Sequence, residues 1–508
     1  MKSVNQIKAG AIISYINLGL STLIPFIYTP IMLRMLGESE YGLFSLSHSV
    51  INYLSLLSFG FGSTIIRYLS LYRGSGNKQK LQETFGFFVL LYCMIAAVVC
   101  LVGVGLSFNV EAIFHRGLTT SEIDRMKVLM LIMTFNSAIS FPVSVFSSVI
   151  IAHERYVFRK LVDMIATVVV PLSNLVLLYF GFGSVGMAWT STIIQSVMLP
   201  INIIYCFYVL GIYPKFCKMP ISLVKEMLGF SLYIFIGTIV DMLFWSTDKV
   251  ILGMLTGSIA VAVYNIGSTF NSMVINLSST ISGLLTPRIT NMVARETDEK
   301  EYTNLFIKVG RIQFIIVALI VSGFAVFGQS FVDLWAGPNY HQAYWIAMLT
   351  MFPLCVPLIQ NTGLSIVIAQ NKHKFRSIVY LVIAIVNVIS TYLLVPSMGA
   401  LGASLCSCIS YIVGQGIIMN IYYYKEIKID IPLFWKNILK MSRVPFVMLI
   451  VGLVITHYIS IESWLIFIIG VLCYSLVYAV GMFYFGLNDY EKEIVIIPIL
   501  RIVDKVKR

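Results

Sequence analysis

Long apolar runs are the feature that most constrains how this chain folds. They extend over roughly 19 to 28 residues, enough for a helix rising about 1.5 Å per residue to cross some 30 Å of hydrocarbon. The runs are continuous and do not alternate with polar residues, which argues against a membrane β-barrel. Of the 508 residues, 58% are hydrophobic and only 11% are charged, whereas about a quarter are charged in soluble domains. We therefore predict an all-α polytopic membrane protein.

The chain divides into fourteen predicted transmembrane spans joined by short connections. The first run contains Pro25 and Pro30; it is too long for the core of a signal peptide, and we interpret it as a retained helix. The predicted spans are 9–33, 40–66, 85–108, 128–151, 161–180, 186–210, 228–251, 259–286, 309–331, 343–368, 377–395, 400–423, 444–461 and 463–486.

Lysine and arginine are distributed unevenly between the two sides of this arrangement. With the N-terminus in the cytoplasm, 29 of the 35 lie in inner loops and tails, and Arg311 lies at the inner end of span 9. Arg34, Arg116, Arg125 and Lys127 fall outside, and Lys249 lies within a span. Positive residues are enriched on the cytoplasmic side of membrane proteins, so we predict that both termini are cytoplasmic. The net charge of +12 then reflects topology, and no extramembrane region is long enough to form a basic face for nucleic acid.

Three pairs of segments match in the same order, at offsets of roughly 216 to 220 residues. The pairs are `SVIIAHERYVFR` with `SIVIAQNKHKFR`, `GSVGMAW` with `GALGASL`, and `LGESEYGLFSLSHSV` with `TGSIAVAVYNIGSTF`. The offset covers six spans, and an even number preserves orientation, which indicates parallel repeats. We predict two six-helix lobes, 1–210 and 211–426, followed by an extra C-terminal pair of helices and a cytoplasmic tail in 427–508.

Several of these segments resemble a known family. `LRMLGESEYGLFSLSHSVINYLSLLSFGFGSTIIRYLS`, `TDKVILGMLTGSIAVAVYNIGSTF` and `GALGASLCSCISYIVGQ` are similar to signatures of bacterial polysaccharide and O-antigen (Wzx-type) flippases. These proteins belong to the multidrug/oligosaccharidyl-lipid/polysaccharide exporter superfamily. The resemblance implies two lobes in a V around a central cavity, in a multi-pass protein of the bacterial inner membrane.

The same resemblance implies what the protein carries. The cargo would be an undecaprenyl-diphosphate-linked oligosaccharide, moved from the cytoplasmic to the outer leaflet for O-antigen, capsule or exopolysaccharide assembly. No enzymatic chemistry and no cofactor are implied; transport in relatives is coupled to an H⁺ or Na⁺ gradient or to the membrane potential. Membrane lipids and other polysaccharide-assembly proteins are the implied partners. The `CSC` at Cys406 to Cys408 lacks zinc-ligand spacing, so we predict no metal site.

Span 7 carries the charges that most need explanation. Asp241 is predicted near mid-membrane, with Asp248 and Lys249 in the outer third. A charge at the centre of a spanning helix costs about 2.5–3.5 kcal/mol on insertion scales. Residues seven apart lie within about 20° on a continuous helix, which would put Asp241 and Asp248 on one face. We predict that all three contact substrate and that Asp241 also takes part in ion coupling; structural anchoring or, for the outer two, snorkelling to the interface are the alternatives.

Arginines at the ends of spans are the second group of candidates. Arg34 closes span 1 on the outer side, and Arg67 and Arg288 end spans 2 and 8 on the inner side. Arginine matches the oxygens of a diphosphate, so we predict substrate contacts for all three; the positive-inside rule alone also explains Arg67 and Arg288. Asp163 is an ion-coupling candidate, with an end-of-helix ion pair as the alternative.

Other functions remain open. A peptidoglycan-precursor flippase also has fourteen spans, and a multidrug exporter of the same superfamily usually has twelve. A membrane enzyme such as a polymerase or glycosyltransferase would need a large outer loop with acid/base residues, and the longest outer connection here runs only from about Asn109 to Lys127.

The predicted orientation can be tested with reporter fusions. We expect alkaline phosphatase to be active when fused after Leu118 and inactive when fused at the C-terminus, because only the first lies outside. Green fluorescent protein at the same two positions should give the opposite pattern. Phosphatase activity at the C-terminal position would contradict the orientation.

Overall fold

The structure is a computed structural model that describes residues 3–217, 221–283, 289, 291–292, 298–370 and 372–493. These residues form helices and no strands. Thirteen helical segments among them are long and apolar enough to cross a membrane. One of them, Lys374–Lys425, has 52 residues, which is long enough for two crossings at about 1.5 Å per residue. The prediction of an all-α polytopic membrane protein is confirmed.

The chain divides into two compact units. Unit 1 comprises Met1–Asn265 with Thr391–Gly399, and unit 2 comprises Ile266–Ser390 with Ala400–Arg508. The helices that begin in unit 1 are α1 Ser3–Leu36, α2 Glu38–Asn52, α3 Phe61–Gly74, α4 Lys78–Phe108, α5 Val110–Phe114, α6 Thr120–Ala152, α7 Tyr156–Tyr179, α8 Gly183–Ile204, α9 Ile221–Trp245, α10 Thr247–Leu255 and α11 Ser258–Gly283. The boundaries of the six-helix lobes, predicted at residues 210 and 426, stay a prediction.

Two spans of unit 1 that the sequence predicts as continuous are broken. In span 2, a 3₁₀ segment, Tyr53–Ser58, follows α2, and Phe59 and Gly60 then adopt φ of 47° and 70°. Positive φ values are incompatible with a right-handed helix, so the helix must restart at α3. Span 7 breaks at Ser246, where α9 ends and α10 begins.

Aromatic side chains fill the space between α4 and α6 in unit 1. Phe85 and Phe146 meet edge to face with ring centroids 5.4 Å apart, and Tyr92 lies 5.9 Å from Phe141. Edge-to-face pairs of this kind stabilise packed interiors. Pro142 lies inside α6 without ending it.

The remaining helices belong mainly to unit 2. They are α12 Glu299–Trp335, α13 Gln342–Ile359, α14 Asn361–Ala369, α15 His373–Tyr411, α16 Met419–Lys425, α17 Ile431–Tyr458 and α18 Trp464–Gly481. Within α15, Gly399 has φ 57° and ψ −138°, a conformation that glycine tolerates because it has no Cβ. This break separates predicted spans 11 and 12 within the 52-residue segment.

The final two spans pack against α12 through apolar side chains and one ion pair. Arg311 Nε and the Glu491 carboxylate lie 2.6 Å apart, and the two side chains are only 6% and 4% exposed. A second guanidinium nitrogen donates to the other Glu491 oxygen at 2.7 Å and to the Gly486 carbonyl at 3.1 Å. The bidentate pair holds the segment after α18 on α12.

Removing one partner of this pair should destabilise the protein strongly. Arg311→Ala leaves a buried carboxylate uncompensated, which typically costs about 3–5 kcal/mol, so thermal unfolding of the purified protein in detergent should occur at a clearly lower temperature. Replacing both partners by Met and Leu should restore much of the loss. The matched control is Lys428→Ala, which breaks a pair with Glu299 whose side chains are 64% and 56% exposed; exposed pairs contribute about 0–1 kcal/mol. Equal shifts in the two single variants would contradict this account.

Candidate functional site

The break at Ser246 places Asp248 and Lys249 in the first turn of α10. Each of the two is hydrogen-bonded to a residue sixteen positions later, on α11: Asp248 to Tyr264 and Lys249 to Asn265. Adjacent helical residues point in different directions, so the carboxylate and the ammonium have different surroundings. All four residues belong to unit 1.

The Asp248 carboxylate is fully buried and accepts hydrogen bonds on both oxygens. The Tyr264 hydroxyl donates to Oδ2 at 2.5 Å, and the Thr391 hydroxyl donates to Oδ1 at 3.3 Å. A carboxylate in the first turn of a helix is also favoured by the helix dipole. These contacts offset the cost of burying the charge, so Asp248 joins three helices.

The Lys249 ammonium is half-buried and donates to Asn265 Oδ1 at 2.5 Å. The Asn265 amide nitrogen in turn donates to the Tyr41 hydroxyl at 2.5 Å. Because Asn265 and Tyr41 are neutral, these hydrogen bonds orient the ammonium without cancelling its charge. The same charge acts electrostatically on His48, an exposed residue seven positions after Tyr41 on α2. The hydrogen-bond partners of the ammonium are thus neutral, while its chain neighbour Asp248 acts on it electrostatically; an anion would find a positive charge that no direct carboxylate contact within the described residues neutralises.

A further hydrogen bond joins spans 2 and 7 beside these residues. The Tyr53 hydroxyl, directly after α2, is bonded to the Thr247 hydroxyl. Tyr53 also lies within electrostatic reach of Asp248. The start of α10 is therefore fixed by neighbours from both α11 and span 2.

The Asp241 side chain is exposed, whereas Asp248 is buried. The expectation that both lie on one face of a continuous helix is wrong, because the helix ends at Trp245 and restarts at Thr247. The alternative that Asp248 snorkels to the interface does not fit its full burial. Asp241 remains a candidate, although it does not share the surroundings of Asp248.

Three other predicted site residues lie on α1, α3 and α7. Arg34 is exposed in the last turn of α1, and the exposed Arg67 guanidinium lies 4.4 Å from the centre of the Phe230 ring. Asp163 is paired with Arg159 at 2.7 Å, the geometry of an end-of-helix ion pair. Arg288 lies outside the described residues. Among the described candidates, Asp248 and Lys249 share the first turn of α10.

Sequence reasoning missed the partners of the two charged residues. Tyr41, Tyr264 and Asn265 are polar residues inside apolar runs, and such residues mark functional or joining positions in membrane helices. The segment `YNIGSTF`, which begins at Tyr264, belongs to the third repeat match, and Tyr264 and Asn265 are its first two residues. Thr391 is likewise a polar residue inside an apolar run, but its pairing with Asp248, 143 residues away, is visible only in the structure.

An apolar groove runs between α12 and α18 in unit 2. Its volume is about 300 Å³, and its lining includes Leu319, Gly323, Phe327, Phe467, Val471 and Tyr474. Phe327 and Tyr474 meet edge to face at 5.7 Å. These walls suit a hydrocarbon chain better than a polar group.

Solved structures of two kinds share this architecture. The lipid II flippase MurJ in an inward closed conformation matches with a TM-score of 0.74 at 16% identity, over 93% of this chain and 99% of that one. An inward-facing multidrug resistance transporter of the MATE family, from the MOP superfamily, matches with a TM-score of 0.63 at 13% identity, over 83% and 99% of the two chains. These likenesses show a common fold.

Sequence comparisons identify the family. EpsK, an uncharacterized membrane protein of Bacillus subtilis, is 21% identical over 483 residues, which is 92% of this chain and 93% of EpsK. An uncharacterized membrane protein of Methanocaldococcus jannaschii is 21% identical over 417 residues, or 76% and 80% of the two chains. The family described as polysaccharide biosynthesis protein matches residues 7–293, and the resemblance seen in the sequence is confirmed. This chain belongs to the polysaccharide biosynthesis protein family.

Proposed function

We propose that this protein is a flippase that moves a polyprenyl-diphosphate-linked oligosaccharide repeat unit from the cytoplasmic to the outer leaflet by alternating access. The observation that carries the proposal is the Lys249 ammonium, held at a helix break by neutral partners in a protein of this family and fold. Surface polysaccharide assembly (O-antigen, capsule or exopolysaccharide) would consume the product. The proposed location is a bacterial inner membrane, with both termini cytoplasmic.

The chemistry of such a cargo matches three regions of the molecule. A diphosphate is anionic and pairs with lysine as a point charge or with arginine through two parallel hydrogen bonds. Lys249 would hold it within the membrane, while Arg67 and Arg288 at the predicted inner side and Arg34 at the predicted outer side would receive and release it. The apolar groove between α12 and α18 would take part of the polyprenyl tail.

The energy source belongs to the proposal as well. Transport would be coupled to an H⁺ or Na⁺ gradient or to the membrane potential, with Asp163 and Asp241 as the candidate coupling residues and no cofactor. The ion pair of Asp163 with Arg159 gives that residue a structural role too. Asp241, whose side chain is exposed, is the second candidate for a group that gains and loses a cation.

Two related functions are the alternatives. A peptidoglycan-precursor flippase would carry the same diphosphate chemistry, and MurJ is named for lipid II. A multidrug exporter, like the MATE proteins with the same fold, would favour cationic cargo. The positive charge of Lys249 favours the anionic cargo over the second alternative.

Lys249→Ala should reduce surface polysaccharide at least about tenfold while protein abundance stays normal, because a charge-assisted hydrogen bond to the cargo contributes about 1.5–3 kcal/mol. Lys249→Arg should retain part of the activity. Asp241→Ala should also reduce the polymer, through loss of coupling. Lys428→Ala, which removes an exposed lysine, is the matched control, and immunoblots of membranes report abundance. Wild-type polymer in the Lys249→Ala strain would remove the role of this site.

Deleting the gene tests the function itself. We expect a lipid-linked oligosaccharide to accumulate on the inner leaflet, and mass spectrometry of the lipid extract would identify its sugars. Accumulation of lipid II instead would favour the peptidoglycan alternative. If neither lipid accumulated, the flippase proposal would be wrong.

A further inference from the structure

A single carboxylate connects three helices at one end of unit 1. The distribution of lysine and arginine predicts that this end faces the outside. Glu122, in the first turn of α6, accepts hydrogen bonds on Oε1 from the hydroxyls of Ser39 at 2.6 Å and Ser258 at 2.5 Å. The Ser258 hydroxyl also lies 3.2 Å from that of Ser39. We call Glu122, Ser39 and Ser258 the outer clamp.

The other oxygen of Glu122 is held by its own helix. The Thr119 backbone donates to Oε2 at 2.9 Å and the Thr119 hydroxyl at 2.8 Å, which completes a capping box. These hydrogen bonds orient the carboxylate independently of the two serines. The Thr-x-x-Glu spacing was visible in the sequence, but not the two serines, which come from 83 and 136 residues away.

Helix dipoles strengthen the outer clamp. The three helices that meet at Glu122 begin at Glu38, Thr120 and Ser258, so three positive helix ends surround one negative group. A second carboxylate works beside it: Glu40 accepts from the Ser184 backbone at 2.7 Å and lies 3.4 Å from the Arg125 guanidinium. The starts of α2, α6, α8 and α11 are thus tied together by two acidic side chains.

The backbones at the outer clamp are as close as sterics allow. A Cβ atom at Gly42 would overlap the Ser258 carbonyl oxygen, so α2 and α11 meet there without side chains between them. The two backbones are in direct contact, and any separation of α11 from α2 and α6 must break the contacts of Ser258 with Glu122 and Ser39.

We infer that the outer clamp is a latch that keeps the outer end closed and releases Ser258 when cargo leaves. Of its three helices, α11 alone continues into unit 2, since its first eight residues, Ser258–Asn265, lie in unit 1 and the rest in unit 2. It is therefore the helix through which a movement in unit 2 would reach the outer clamp. The latch rests on the proposed function for its purpose, and its existence can be tested without the cargo.

The latch is also connected to Lys249. The same two helices are joined again by the Tyr41–Asn265 hydrogen bond, and Asn265 lies seven residues, about two turns, after Ser258. Withdrawing the start of α11 would loosen Asn265 and with it the partner that orients Lys249. Opening the latch would thus lower the hold on the cargo at the moment when release becomes possible.

Thiol accessibility tests the latch directly. In a variant whose eight native cysteines are replaced, His48→Cys provides a reporter for a membrane-impermeant maleimide added from outside. Glu122→Ala should raise its labelling rate about tenfold or more, as expected for losing hydrogen bonds to a charged group. Ser258→Ala should give a smaller rise, and Glu122→Gln, which keeps an acceptor, should lie between. Asp124→Ala removes an exposed carboxylate of the same helix turn and should leave the rate unchanged.

The double variant S39C/S258C should have the opposite effect on the labelling rate. The two side-chain oxygens lie 3.2 Å apart, within reach of a disulfide, so mild oxidation should cross-link the pair, abolish reporter labelling and stop transport until a reductant is added. Unchanged labelling in Glu122→Ala, or full labelling of the cross-linked protein, would overturn the latch. If labelling shifted as expected but the gene deletion accumulated no lipid-linked oligosaccharide, the proposed function would fall and the latch would stand.

Discussion

A polar group in hydrocarbon must find its hydrogen-bond partner within the protein. This requirement explains the buried ion pairs and hydrogen bonds that connect the helices described above. Water cannot satisfy a carboxylate at membrane depth, and leaving it bare costs several kcal/mol. Asp248 meets the requirement with hydroxyls from α11 and from Thr391. A buried charge such as Asp248 therefore connects helices that are distant in sequence, and its hydrogen bonds help to fix the positions of those helices.

The Arg311–Glu491 and Lys249–Asn265 contacts differ in the net charge that each contact leaves. Arg311 and Glu491 cancel each other within a buried bidentate contact, which suits a permanent attachment of the last spans to α12. Lys249 is hydrogen-bonded to a neutral amide and interacts with Asp248 only electrostatically, so no direct carboxylate contact in the described part of the chain neutralises its charge. Whether the hydrogen-bond partner carries the opposite charge thus distinguishes a structural charge from a candidate binding charge. Burial alone would not distinguish them.

Hydropathy predicted much of this structure because insertion of a helix into the membrane depends on its apolar length. The spans, including the pair joined at Gly399, follow from apolar length. The breaks at Phe59–Gly60 and Ser246 did not follow, since a local positive φ or a partner from another helix interrupts a segment without changing its hydropathy. Likewise Asp248 and Lys249 were found as costly residues, but Tyr41, Asn265 and Thr391 were missed because their role depends on contacts between remote segments.

The position of α11 explains why a latch and a binding charge would occur together. Ser258 reaches Glu122 on α6, and seven residues later Asn265 reaches Lys249 and Tyr41. A helix transmits displacement along its axis because its backbone hydrogen bonds keep it rigid over two turns. If each contact were on a separate helix, closing the outer end would not affect the ammonium. Because both are on α11, a cargo that competed with Asn265 for Lys249 would also act on the proposed latch, and the two events would be linked in both directions.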